Sequence, residues 1–182
     1  LSVVMSFRIT PLLSTPALCL GLVLSACNPQ KPLPVVDSVN LDKYAGRWFE
    51  WARFDHSFEE GCDCSVAEYT VMEDYVRVVN SCYENGEWRS TDGKAFPVEG
   101  TNNAKLEVQF IWPFKGDYYI VELDDEYQYV LVGSPNREYL WILGRSAKRD
   151  LETMHKLKST ATSLGFDVTA LILTTCAEAP SK

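Results

Sequence analysis

Gly46-Arg47-Trp48-Phe49-Glu50-Trp51-Ala52-Arg53-Phe54 opens a body of short segments in which apolar and polar residues recur with period two between turn signals. Trp48 to Phe54 reads as the first strand. Outward from it, Val66 to Met72 and Tyr75 to Ser81 flank Glu73-Asp74 as a hairpin. Asn85-Gly86 is the strongest hairpin signal in the chain. The strand that follows passes through Gly93-Lys94-Ala95-Phe96, where Gly93 and Pro97 suggest bulges or bends. Leu106, Val108 and Phe110 alternate with Glu107 and Gln109. Tyr118 to Leu123, Tyr127 to Val132 and Tyr139 to Leu143 complete eight strands with short connections. Eight strands in meander order suit a closed up-and-down barrel, with a two-layer sandwich as the alternative. One helix then follows. Asp150 can cap it, Leu151, Met154, Leu157, Ala161 and Leu164 form its apolar stripe, and Gly165 can end it. Val168 to Leu173 reads as a last strand.

The 182 residues are 46% apolar and 23% charged, enough for one globular domain and its core. The net charge of −8, with no Lys/Arg cluster, argues against nucleic acid and anionic lipid surfaces as direct partners. The aromatic content of 12% suits both cross-strand packing and a wall that grips apolar ligands.

Residues 1–26 read as a leader rather than as fold. Arg8 precedes the apolar run from Ala17 to Leu24, which is too short for the ~20 residues a bilayer span needs but fits a signal-peptide core. Leu24-Ser25-Ala26-Cys27 resembles the lipobox of bacterial lipoproteins, which implies acylation of Cys27. Two or more acyl chains anchor stably, whereas one does not. Asn28 stands where lipoproteins retained in the inner membrane carry Asp, so the resemblance implies the outer membrane. Residues 27–38, with Pro29, Pro32 and Pro34, read as an extended tether. The domain proper is expected over 39–176, with a tail at 177–182.

Gly46-Arg47-Trp48 resembles the Gly-x-Trp signature of lipocalins, and the stretch from Trp51 to Glu59 resembles its continuation in the bacterial lipocalin and apolipoprotein D branch. Tyr139-Leu140-Trp141-Ile142-Leu143-Gly144-Arg145 resembles that branch's last barrel strand and its arginine. The resemblance implies an all-β fold: an eight-stranded antiparallel up-and-down barrel, one C-terminal α-helix packed outside, and a short final strand. It also implies that Gly46, Trp48 and Arg145 are structural, with the guanidinium stacked across the indole that plugs the closed end. In the middle signature, Leu123-Asp124-Asp125-Glu126-Tyr127, either Asp124 or Asp125 can be the equivalent acidic residue.

If Trp48 and Arg145 point inward, strand parity sends Glu50, Ala52, Phe54, Tyr139, Trp141 and Leu143 inward as ligand-binding candidates. Glu50 can orient a polar head group or bond to structure near Trp48. Arg53 can meet an anionic head group at the mouth or stand solvated on the surface.

With Cys19 in the leader and Cys27 acylated, Cys62, Cys64, Cys82 and Cys176 remain, an even number that favours disulfides in a secreted domain. The resemblance implies Cys64–Cys176, leaving Cys62–Cys82. A two-residue turn at Glu73-Asp74 puts Cys82 opposite Ser65, so a pairing within the hairpin calls for a bulge or register shift. No His cluster completes a metal site around Cys62 and Cys64, and no cofactor is expected.

The family resemblance implies a binding protein for a fatty acid, lysophospholipid or similar small hydrophobic ligand, joined to the membrane through its lipid anchor. The competing class is a lipid-modifying enzyme, a hydrolase or isomerase. Only His56 and His155 offer an imidazole base, and no Gly-x-Ser-x-Gly elbow, phosphate loop or His-Glu-x-x-His motif occurs. A catalytic role is therefore not expected. A barrel filled by its own side chains is the third possibility.

Overall fold

The computed structural model describes residues 31–176, so Cys19, Cys27 and the expected leader and tail lie outside the described residues. A one-turn helix, α1 (Leu41–Tyr44), is capped by the Asn40 side chain, which accepts from the Lys43 N–H. Eight strands follow: β1 (Gly46–Arg53), β2 (Cys64–Val71), β3 (Val76–Glu84), β4 (Glu87–Pro97), β5 (Lys105–Ile111), β6 (Phe114–Leu123), β7 (Tyr129–Gly133) and β8 (Leu140–Gly144). Each pairs antiparallel with the next, and β1 pairs with both β2 and β8. The sheet closes into an up-and-down barrel.

Local chemistry sets the turns. Met72 and Tyr75 are bridged by a backbone hydrogen bond across Glu73-Asp74, and Asn85 and Gly86 both adopt positive φ between the paired Glu84 and Glu87. Two left-handed residues match the twist of the flanking strands. No bulge falls at Gly93, where β3 and β4 pair without a register shift. An added Cβ at Gly93 would lie 2.6 Å from the Phe110 ring, so this glycine makes room for an aromatic inside the barrel. The bulges fall instead at Glu50/Ala52, Val108/Ile111 and Ile120/Glu122.

The helix α2 (Leu151–Ser163) starts at Asp150, whose carboxylate accepts from the Thr153 N–H, and Gly165 follows its end at φ +89°. Met154, Leu157 and Ala161 pack on Ala52, Leu131, Leu140 and Ile142 on the outer wall. Leu151, expected on the same stripe, is 81% exposed. The expected last strand is shorter than its sequence suggests. Asp167 accepts from the Thr169 N–H and turns Val168–Ala170 into a 3-10 turn, leaving β9 (Ile172–Leu173) to pair with Ala52 and Arg53. Of the expected tether, the described residues lie against the barrel: Leu33 is buried and the Val36 N–H donates to the Ile120 carbonyl.

Candidate functional site: the barrel interior

The floor is built around Trp48. Its indole N–H donates to the Tyr44 carbonyl at 2.8 Å, and the Arg145 guanidinium lies 3.9 Å from the ring centre. Arg145 also donates to the carbonyls of Lys43, Tyr44, Arg47 and Tyr127. Tyr127 is held in place by its own turn, in which Asp124 accepts from the N–H groups of Gln128 and Tyr129. Of the two neighbouring acids, it is Asp124 that caps this turn. The Gly46 Cα faces this clamp: a Cβ there would meet Arg145 Nη1 at 3.5 Å, at φ +89°.

Above the floor, Tyr118 links Tyr44 (2.7 Å) and Tyr69 (3.0 Å) through buried hydroxyls. Burial pushes all three phenols up, Tyr69 to about 12. A cavity of about 740 Å³ rises from this trio to the mouth, past Val78, Val108, Phe110 and Leu143.

Near the mouth lies a buried ionic cluster. Arg53 donates to Glu50 Oε1 at 3.2 Å and to the Glu59 carbonyl at 2.7 Å. The Glu59 carboxylate accepts from the Trp141 indole at 3.2 Å and lies 2.9 Å from His56 Nε2. His56 stacks on Phe58 with centroids 3.7 Å apart. One guanidinium serves two carboxylates. Burial, and then repulsion from Glu59, push the Glu50 carboxyl well above its ordinary value, against the pull of Arg53. A raised carboxyl binds its proton more tightly folded than unfolded. The stability this brings is complete below the ordinary carboxylate range and is lost as pH climbs through the raised value. Glu50→Gln is expected to flatten that fall, which urea unfolding at a series of pH values would measure, by at most about 1.4 kcal/mol per pH unit. An unchanged pH slope in the variant would refute the assignment.

On the adjoining wall, the Ser65 hydroxyl and the Asn80 Oδ1 are buried without a hydrogen-bond partner. Both residues border the cavity, beside Glu50. They offer hydrogen bonds to whatever fills the space, since an unpaired buried polar group is costly.

Glu50, Tyr139, Trp141 and Leu143 line the cavity. Ala52 and Phe54 do not, and the expectation for them is corrected. Trp51 is the extra residue of a bulge between the Glu50–Leu143 and Ala52–Ile142 pairs, so it and Ala52 both face outward beneath α2 and parity is reversed beyond it. Gly144 permits this, because a Cβ there would sit 2.1 Å from the Trp51 ring. The same reversal turns Arg53 inward, where it is 2% exposed and neither solvated nor at the rim. His155 is exposed on α2. Sequence reasoning missed Glu59, Ser65 and Asn80; the acidic Glu59-Glu60 pair beside Phe58 was the one visible signal.

The cysteines pair as Cys62–Cys82 and Cys64–Cys176. Ser65 does stand opposite Cys82, but no register shift is needed. Cys62 lies in the turn before β2 and reaches Cys82 with a Cα separation of 5.4 Å. Among the described residues, no group of His, Cys, Asp and Glu could hold a metal ion.

A lipocalin-like domain matches residues 39–176. The outer membrane lipoprotein Blc of Vibrio cholerae is 41% identical over 158 residues, covering 85% of this chain and 88% of that protein. Its namesake from Escherichia coli K12 is 37% identical over 170 residues, 91% and 96% of the two chains. Insecticyanin from the tobacco hornworm Manduca sexta superposes with a TM-score of 0.67 at 20% identity, covering 81% of this chain and 86% of that one, a likeness of fold alone.

Proposed function

The chain belongs to the lipocalin-like family, and on that premise we propose that it carries a fatty acid, lysophospholipid or similar amphiphile in its barrel while Cys27 anchors it to the outer membrane. The observation that carries the reading is a cavity of about 740 Å³ whose depths are apolar and aromatic and whose polar groups gather toward the mouth. That volume falls in the range of ~300–1,000 Å³ typical of small-molecule sites. An apolar tail lies on Val78, Val108, Phe110 and Leu143, with its polar end level with Ser65, Asn80 and the Glu50–Arg53–Glu59 cluster. Outer-membrane location follows the names of the relatives.

Titration of the purified chain with an apolar fluorescent dye, then displacement by lysophosphatidylcholine, tests the proposal. Val108→Trp narrows the cavity and is expected to weaken dye binding about tenfold or more while the far-ultraviolet spectrum stays unchanged. A chain that takes up no dye and yields no lipid on organic extraction would be a filled barrel, and the proposal would fall.

A further inference from the structure

The most exposed contiguous apolar segment among the described residues is the tip of the β5–β6 hairpin, where Ile111, Trp112 and Phe114 are 71%, 82% and 74% exposed. Ile111 and Phe114 also border the cavity, as does Phe58, which is 56% exposed on the β1–β2 loop. These four large side chains crown the open end. A water-exposed apolar cluster of this kind needs a partner.

Where the chain enters the structure points to the partner. The Lys31 carbonyl accepts from Arg137 Nη2 at 2.8 Å, and Arg137 sits in the β7–β8 loop, whose Ser134, Asn136 and Tyr139 border the same mouth. Cys27 is four residues upstream, a reach of at most about 14 Å. A lipid on Cys27 is thereby tied to the open end, not to the floor. Charge offers little attraction to anionic head groups: Asp55, Glu60, Glu84 and Glu87 lie on the loops of the open end, Arg89 and Lys115 are paired with Glu84 and Glu107, and Arg137 and Lys31 are outnumbered there. What remains is apolar insertion, for which a tryptophan at the tip is well suited, since its amphipathic ring favours the membrane–water interface.

We propose that the barrel meets a lipid bilayer mouth-first, with Trp112 and Phe114 of the hairpin tip and Phe58 seated in the interfacial layer. The contact rests on the exposed residues together with the acylation of Cys27 proposed above, and its role in loading an amphiphile rests on the carrier function proposed there. A ligand would then pass between bilayer and cavity without crossing water.

The test uses the full, acylated chain in phosphatidylcholine vesicles containing a brominated phosphatidylcholine, with tryptophan emission as the readout. Wild type is expected to be quenched, and Trp112→Phe to lose most of the quenchable component; Trp112 is too exposed for this change to disturb folding. Trp112→Ser, at a position outside the cavity lining, is expected to slow transfer of a fluorescent fatty acid from vesicle to barrel about tenfold or more, leaving its equilibrium affinity unchanged. Leu151→Ser, an equally exposed leucine at the closed end, is expected to change neither readout. Quenching equal in wild type and Trp112→Phe would overturn the proposal. So would a blue-shifted, unquenched Trp112 in a chain that sediments as a dimer, since a second copy would then cover the hairpin. Absence of dye uptake with quenching intact would leave the membrane contact standing and overturn the carrier function instead.

Discussion

Arg145→Ala is expected to lower the unfolding free energy by about 3–5 kcal/mol. The stacked guanidinium contributes about 2 kcal/mol where the contact is desolvated. Its four bonds to the carbonyls of Lys43, Tyr44, Arg47 and Tyr127 add to this, although water can replace the more exposed of them. For a domain of this size the loss corresponds to a fall in Tm of roughly 10 °C. Arg145→Lys keeps the charge but not the planar fork, so it should recover little. Trp48→Ala should cost about 3–5 kcal/mol through its cavity. The double variant should cost less than the sum by about 1–2 kcal/mol, the coupling of ring and cation. Additive losses in urea unfolding would mean that the stacking is incidental.

The second large effect concerns the cross-links. Cys64–Cys176 spans 112 residues and Cys62–Cys82 spans 20. A cross-link restricts the unfolded chain more as its loop lengthens, to about 4.7 kcal/mol for ~100 residues and about 3 kcal/mol for a loop near 15. Replacing Cys64 and Cys176 together by serine should therefore destabilise by about 4–5 kcal/mol, and the Cys62/Cys82 pair by about 3 kcal/mol. The longer bridge also holds the end of the described chain, where Thr174 donates to the Glu50 carbonyl and β9 pairs with β1. Its loss should free that segment to proteases before global unfolding. Equal midpoints in calorimetry for the two double variants would refute the account.

Much of this was readable in advance because it rests on period and punctuation. Asn85-Gly86 signals a hairpin, Asp150 and Gly165 bracket a helix, and Trp48 and Arg145 are legible through the family resemblance. The interior was harder to read, for one local reason. Strand parity holds only while pairing is regular, and a single extra residue at Trp51 exchanged Ala52 and Phe54 for Arg53 as inward side chains. The permission for that bulge is written at Gly144, more than ninety positions away, and means nothing until β1 and β8 are known to be neighbours. Glu59, Ser65 and Asn80 were hidden in another way: a loop acid and two small polar residues look like surface until closure brings them together. Asp167 was legible in principle, since Asp ahead of Val-Thr favours a local turn over continued strand.

The indole seal has a kinetic consequence. With one end stoppered, arrival and departure of any guest must share a single aperture, traversed in opposite senses through the same transition state. Alterations at that aperture should accelerate or retard both passages together and leave occupancy at equilibrium untouched. Alterations deep in the wall should instead appear almost wholly in the dwell time.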